Sequence, residues 1–301
     1  MADAIVARVP ATSANLGSGF DCLGLALGLY NDIALLPDLN FAVDVIGEGA
    51  DSLPRDRANL VARTVVRYFE TIGRTPPHFA IRLTNRVPMC GGLGSSSTAL
   101  VGGILTANHL AGDILSTDEL LHLAADWEGH PDNVAPAILG GFVLSVKDGH
   151  NLTTLSIPYP PNVRAVAFLP RFSTSTREAR RLLPSRIAHA DAVFNVGRAA
   201  LLVGAMATGR LEYLRIATQD RLHQPYRQVL FPSMPRFFDA ALEAGAHGAW
   251  LSGSGSALLA LASDHAETIA AAFEQVARSA GVAGRVQILD LTGEGARIVA
   301  D

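Results

Sequence analysis

The chain of 301 residues holds a single lysine, Lys147, so arginine supplies nearly all of its positive charge. Arginine's planar fork suits fixed recognition of carboxylate or phosphate, and a composition-wide substitution bias explains the imbalance equally well. Two cysteines, Cys22 and Cys90, are too few for a disulfide framework or a zinc site, and they fit a reduced cytosolic protein. A net charge of −4 offers no basic surface for nucleic acid. Aromatic residues make up only 6% against 49% apolar overall, which implies an aliphatic core and excludes a disordered chain. The longest apolar run, near Ala199 to Ala207, is short of a membrane span, and no signal-peptide core is visible near the N-terminus. These absences predict a soluble, cytoplasmic, globular protein without nucleic-acid or membrane partners.

What is present begins with Pro88-Met89-Cys90-Gly91-Gly92-Leu93-Gly94-Ser95-Ser96-Ser97-Thr98. A strand-like run (Phe79, Ile81, Leu83) precedes it and a helix-like run (Ala99 to Leu110) follows. Glycine lets the backbone turn its N–H groups inward, and a helix start adds unpaired donors and a positive dipole end. That combination suits phosphate oxygens. The Walker pattern needs a lysine after its last glycine, and none is here. The plainer reading is a structural turn whose serines cap the helix.

The rest of the chain reads as strands and helices without strict alternation, which argues for an α+β fold. Ile5, Ala7 and Val9 predict a strand, with Pro10 opening a loop to Asp21; 23–36 and 41–47 predict further strands. Asn59 can cap a helix that Gly73 stops, and Ser116 with Glu119 forms a capping-box signature for a helix ending near Glu128 and Gly129. A hairpin is expected over 141–157. Prolines 158, 160 and 161 then mark a division into residues 1–160 and 161–301. Beyond it the pattern predicts strands over 163–169, 249–252, 257–262, 285–291 and 296–300. Helices are expected near 176–183, 191–208, 211–220, 235–244 and 264–280.

Three further stretches carry polar side chains at turns. Glu128-Gly129-His130-Pro131-Asp132-Asn133 places two carboxylates, an imidazole and an amide on a helix exit, where Glu128 is a reasonable ligand for magnesium; a simple turn or cap is the alternative. Pro10 to Asp21 is long and small-residue, more like a binding loop than a connection, and it carries Asn15 and Asp21. Ser252-Gly253-Ser254-Gly255-Ser256 is a second glycine turn, able to approach a ligand or the first loop.

In this order the four stretches resemble the GHMP kinases, named for galactokinase, homoserine kinase, mevalonate kinase and phosphomevalonate kinase. Residues 88–96 match that family's Pro-x-x-x-Gly-Leu-Gly-Ser-Ser motif. Pro10 to Asp21, Glu128 to Pro136, Thr176 to Pro184 and Asp220 to Arg227 are similar to motifs of its homoserine kinase branch. Ser18 and Ser256 stand where that branch usually has proline, a departure expected to loosen the backbone slightly.

The resemblance implies a lobe like the second domain of ribosomal protein S5 followed by a ferredoxin-like lobe, with the active site between them. It implies ATP on the 88–98 loop, with Mg²⁺ held by Ser96 and Glu128. For the acceptor, L-homoserine, it implies that Arg180 and Arg227 take the carboxylate. Asn15, Asp21 and His130 would hold the amino and hydroxyl end. Asp132 is the nearby candidate for a general base, and the γ-phosphate itself is the alternative proton acceptor. A homodimer is a further expectation of the family. Kinases for mevalonate or shikimate, and a non-catalytic ligand sensor, remain alternatives at this point.

Overall fold

Apolar residues at every second position build a first sheet, described together with the rest of residues 4–89 and 91–300 in a computed structural model. Its strands are β1 (Ile5–Ala14), β2 (Leu23–Pro37), β3 (Val43–Gly47), β4 (Phe79–Asn85), β5 (Phe142–Asp148) and β6 (Asn151–Ile157). The pairings β1–β2, β2–β4, β2–β5 and β5–β6 are antiparallel, whereas β3 runs parallel to β4. Helices α1 (Leu60–Thr71), α2 (Ser95–Ala111), α3 (Thr117–Glu128) and α4 (Pro131–Leu139) pack on it around Ile33, Leu35, Val65, Tyr68, Ile104 and Val134. The Asn59 side chain caps α1 by accepting from Val61 N, and the Ser116–Glu119 capping box starts α3.

The expected loop from Pro10 is instead the second half of β1. A register shift between Pro10 and Ala11 absorbs the proline, and β11 (Arg297–Val299) pairs with β1 only at residues 6–8. Pro10 thus sits at a bulge with a strand on one side, where its missing N–H leaves no ladder partner unmet. The polar turn shrinks to residues 15–22, with positive φ at Asn15, Leu16, Gly17 and Asp21.

The second sheet holds β7 (Arg164–Pro170), β8 (Gly248–Leu251), β9 (Leu258–Ala262) and β10 (Gly284–Asp290) in the antiparallel order β10-β7-β9-β8. By chain order that is fourth, first, third, second, a ferredoxin-like arrangement. After β7 the chain makes α5 (Thr176–Arg181), α6 (His189–Thr208), α7 (Leu214–Ala217), α8 (Gln224–Arg227) and α9 (Met234–Glu243); α10 (Ala266–Ala280) lies between β9 and β10. Strand alternation divides the core. Val166 and Phe168 face Phe237 and Phe273 of the covering helices, with the Phe168 and Phe237 rings 4.6 Å apart. Ala165, Ala167 and Leu169 face Leu23, Leu25, Leu27 and Phe142 of the first sheet.

The expected division at residue 160 falls between β6 and β7, while β11 returns to the first sheet. The helix expected over 211–220 is a 3₁₀ turn (Leu211–Tyr213) followed by the short α7. By length and composition α6 could cross a membrane, although no run in the sequence announced one. Here its inner face buries Asn195, Leu202, Ala205 and Met206, the last three in the core between the sheets.

Candidate active site

The 88–98 loop takes its shape from one asparagine. Asn31 on β2 accepts from Arg86 N (2.8 Å) and Val87 N (2.9 Å) ahead of the loop and donates to Thr98 Oγ1 (2.9 Å) beyond it. Between these clamps Gly92 and Gly94 adopt φ of 80° and 71°. Gly94 is the N-cap of α2 and gives no side-chain cap, so the first-turn N–H groups point away without a protein acceptor from the cap. The second glycine turn closes against this loop. Ser252 Oγ donates to Gly92 O (2.6 Å) and Ala257 N to Gly91 O (2.9 Å).

These two turns, the 15–21 turn and the 128–133 segment converge on one cavity of about 370 Å³ between the lobes. It is lined by Asn15, Asp21, Ser96, Glu128, His130, Asp132, Arg180 and Arg227, so the structure brings together every acidic, basic and amide side chain for which the resemblance implied a ligand or catalytic role. Met89, Gly91, Gly92, Gly94, Ser95 and Ser97 line it as well. Pro88, Leu93 and Thr98 do not: Leu93 is fully buried in the core between the sheets, and Thr98 is the buried partner of Asn31. Cys90 lies outside the described residues. Leu53, Leu60, Val61, Ile33 and Leu83 add an apolar wall that the sequence reading missed: four of them fall in predicted strands or a predicted helix, and Leu53 in a stretch given no reading.

Glu128 closes α3 with its carboxylate over the start of α2, and its Oε1 accepts from both Ser96 Oγ (2.9 Å) and Ser97 Oγ (2.8 Å). The helix after it was not foreseen. Pro131 occupies the first turn of α4, where its lack of an N–H is harmless. That turn sets Asp132 beside His130, with Asp132 Oδ1 2.7 Å from His130 Nδ1. A carboxylate only accepts here, so Nδ1 carries the proton. Burial pulls the imidazole's pKa down, but the Asp132 hydrogen bond and charge, joined by Glu128, outweigh it and leave it above its usual value.

On the opposite wall Arg180 of α5 forms a bidentate pair with Asp21, Nη1 to Oδ2 at 2.9 Å and Nη2 to Oδ1 at 2.8 Å. The resemblance implied separate tasks for these residues; in the structure they hold each other. The hydrogen bond to Asp21 raises the Arg180 pKa further. Arg227, only 3% exposed, donates Nη1 to Gly253 O (2.8 Å). Burial, then the charge of Arg180, lowers its pKa to about 10. Asn15 donates to the same Gly253 carbonyl (2.9 Å) and accepts from Asp21 N (2.9 Å).

Ser18 and Ser256 do not loosen their turns. Ser18 Oγ donates to Ala217 O (2.7 Å) and Ser256 Oγ to Phe172 O (2.7 Å), bonds that proline cannot make. The 15–21 turn is therefore docked on the second lobe, and a Cβ on Gly17 would collide with the Thr218 carbonyl.

Comparison with known proteins fits this geometry. Residues 59–141 match the family described as GHMP kinases N terminal domain, and residues 202–279 match GHMP kinases C terminal. A homoserine kinase of Carboxydothermus hydrogenoformans is 42% identical over 95% of this chain and 98% of its own. One from Nostoc punctiforme is 42% identical over 98% of each. The crystal structure of homoserine kinase from Cytophaga hutchinsonii superposes with a TM-score of 0.89 at 32% identity, covering 99% of this chain and 98% of its own. The chain belongs to the homoserine kinases, within the GHMP kinase family.

Proposed function

We propose that this chain transfers the γ-phosphoryl group of ATP to the side-chain hydroxyl of L-homoserine, giving O-phospho-L-homoserine for threonine synthesis. The observation that carries the reading is one cavity in which a lysine-free glycine–serine cradle faces Asp21, Arg180 and Arg227. The apolar wall suits a purine base, and the uncapped start of α2 suits the phosphates that follow it. Across the cavity Arg227 and Arg180 take the acceptor's carboxylate, and Asp21 with Asn15 takes its ammonium. His130 then directs the hydroxyl toward the γ-phosphate.

The donors near the phosphates fit magnesium. Ser96, Ser97 and Glu128 offer only oxygen, and this ion is usually held by one or two carboxylates with phosphate oxygens completing its shell. Among the described residues no three His, Cys, Asp or Glu side chains form a ready-made metal cage. Magnesium bound there would neutralise charge on the β- and γ-oxygens. In the transfer the acceptor oxygen bonds to phosphorus as the bond to the β,γ-bridging oxygen breaks, through a loose transition state for which positioning matters most. Asp132 Oδ1 is already engaged by the His130 Nδ1–H, so in this reading the hydroxyl proton passes to an oxygen of the transferred phosphoryl group.

ADP release with homoserine, mevalonate, shikimate and no acceptor tests the reading. Turnover with homoserine supports it, and turnover confined to a non-amino-acid acceptor overturns it. Pairing into a homodimer and a cytoplasmic location belong to the same proposal, with sedimentation and cell fractionation as their tests.

A further inference from the structure

We infer that His223, which the cavity does not expose, is a positioning residue that sets Arg227 against the 15–21 turn through a single imidazole tautomer. The inference rests on the proposed role of Arg227 as carboxylate anchor.

His223 is 0% exposed and is absent from the cavity lining. Its Nδ1 lies 3.1 Å from Arg227 Nη1, and its Nε2 lies 2.8 Å from Gly17 O. A guanidinium only donates, so Nδ1 is bare and accepts; a carbonyl only accepts, so Nε2 carries the proton and donates. The neutral ring is thus read in one direction, from the arginine of the second lobe to the backbone of the first. Burial lowers its pKa to about 4, against the opposing charge of Asp220, which keeps the acceptor bare at neutral pH.

The arrangement closes into a circuit. Arg227 Nη1 also donates to Gly253 O, Gly253 O accepts Asn15 Nδ2, and Asn15 is two residues from Gly17. The circuit thus links Arg227 and Asn15, which are proposed to grip the two ends of the acceptor. Among the described residues Arg227 Nε has no partner, so the two Nη1 bonds are its anchors there. Without the His223 bond the guanidinium can swing about the Gly253 carbonyl. The backbone that carries the imidazole and one face of the ring are both held. Asp220 Oδ2 accepts from the backbone N–H groups of His223 (2.9 Å) and Gln224 (2.7 Å), and Phe20 stacks on the ring at 5.0 Å and 23°. Phe20 belongs to the same turn as Asn15 and Asp21, so the stack and the Gly17 bond fix one distance between them. A buried histidine with both nitrogens satisfied is often core alone; here both partners belong to the acceptor site.

The test compares kcat/KM for L-homoserine and for 3-aminopropanol, which keeps amine and hydroxyl but lacks the carboxylate. His223→Asn keeps an oxygen near the place of Nδ1 and so an acceptor for Arg227; His223→Gln keeps an amide N–H near the place of Nε2 and so the Gly17 bond. Loss of an aligned group by an ångström costs about 10²-fold, so His223→Gln should lower the homoserine value by about 10–10²-fold through KM. The amino-alcohol value and the ATP KM should move less than about 3-fold. His223→Asn should keep most of the preference for homoserine. Equal losses on both acceptors in both variants overturn the inference, as does an unchanged preference in both while Arg227→Ala abolishes it. If Arg227→Ala itself leaves the preference intact, the carboxylate assignment fails, and that failure is visible in the arginine variant alone. Should neither histidine variant accumulate as folded protein, Phe20→Leu, which removes the stack, is read with the same acceptors, and an unchanged ratio overturns the inference.

Discussion

A methyl group on Gly92 tests whether the two glycine turns work as one device. Gly92 has φ of 80°, and a Cβ there would fall inside the 3.0 Å that real Cβ contacts essentially never undercut against the Ser252 carbonyl oxygen; the Gly255 oxygen would be 3.1 Å away. Both obstacles are backbone, so relief means separating the loops by roughly half an ångström or more. Gly73 is the internal control: its φ is 69° and nothing lies within 4 Å of its Cβ position. An alanine at either site carries the left-handed penalty of about 1–2 kcal/mol. Gly92→Ala adds strain on the Ser252–Gly92 and Ala257–Gly91 hydrogen bonds, each worth about 1 kcal/mol. The excess over Gly73→Ala is therefore about 2 kcal/mol, which corresponds to roughly 3 °C in Tm for a chain of 301 residues. The kinetic effect should be larger, because the same shift displaces N–H groups proposed to bind phosphate: kcat/KM for ATP should fall about 10²-fold in Gly92→Ala and hardly at all in Gly73→Ala. Thermal melts and ATP-dependence curves on the two variants decide it. If Gly92→Ala melts and turns over like Gly73→Ala, the turns are not coupled and the cradle's shape has another source.

Glu128→Ala should lower kcat by roughly 10²-fold or more with little change in Tm, since its described bonds are to two serine hydroxyls; an unchanged rate removes Glu128 from the metal role. The His130 pKa is raised above 6.5, so the His130–Asp132 pair stabilises the fold fully below about pH 6.5 and loses that contribution as pH rises through the raised value. Asp132→Asn should bring the His130 midpoint, followed by its imidazole proton resonances, below 6.5, because burial is then opposed mainly by Glu128; a midpoint left high refutes the pairing as its cause. Asp21→Asn should cut the preference for homoserine over 4-hydroxybutyrate, which lacks the amine, by about 10-fold or more, the worth of one charge-assisted hydrogen bond. An unchanged ratio places the ammonium elsewhere.

Local chemistry made much of this legible. The capping box at Ser116, the Asn59 cap and the strand–glycine–helix order of 79–110 each depend on neighbours in the chain, and each appears in the structure. What depended on distant partners did not show. Pro10 reads as a strand end until its bulge and single flanking strand are known. Pro131 sits just past a predicted helix end, and only the structure shows that it starts another. Asp21 and Arg180 lie 159 residues apart, and no periodicity announces their pair. The hydroxyls of Ser18 and Ser256 were read for the proline they replace, while their effect comes from carbonyls brought up by other turns.

The missing lysine finally bears on how charge is divided across the cavity. Its basic side chains among the described residues are Arg180, Arg227 and the imidazole of His130, and its acids are Asp21, Glu128 and Asp132. On the acceptor side the charges are largely matched within the protein: Arg180 is paired to Asp21 and His130 to Asp132, leaving Arg227 close to Arg180. A half-site balanced in that way discriminates against a ligand of high net charge and suits one that carries both signs a few ångströms apart, with its carboxylate drawn to the unbalanced arginine. The phosphate side is different. It offers backbone N–H groups, a helix end, hydroxyls and one carboxylate, Glu128, but no side-chain cation of its own. A triphosphate settling there needs a partner charge from solution, and Glu128 beside two hydroxyls is the feature that would select a hard divalent cation for the task. With a lysine in the loop that carboxylate would meet a resident partner, and the demand for an external cation would weaken. Its absence ties phosphate binding to metal binding, so ATP affinity should depend on metal far more steeply than homoserine affinity does.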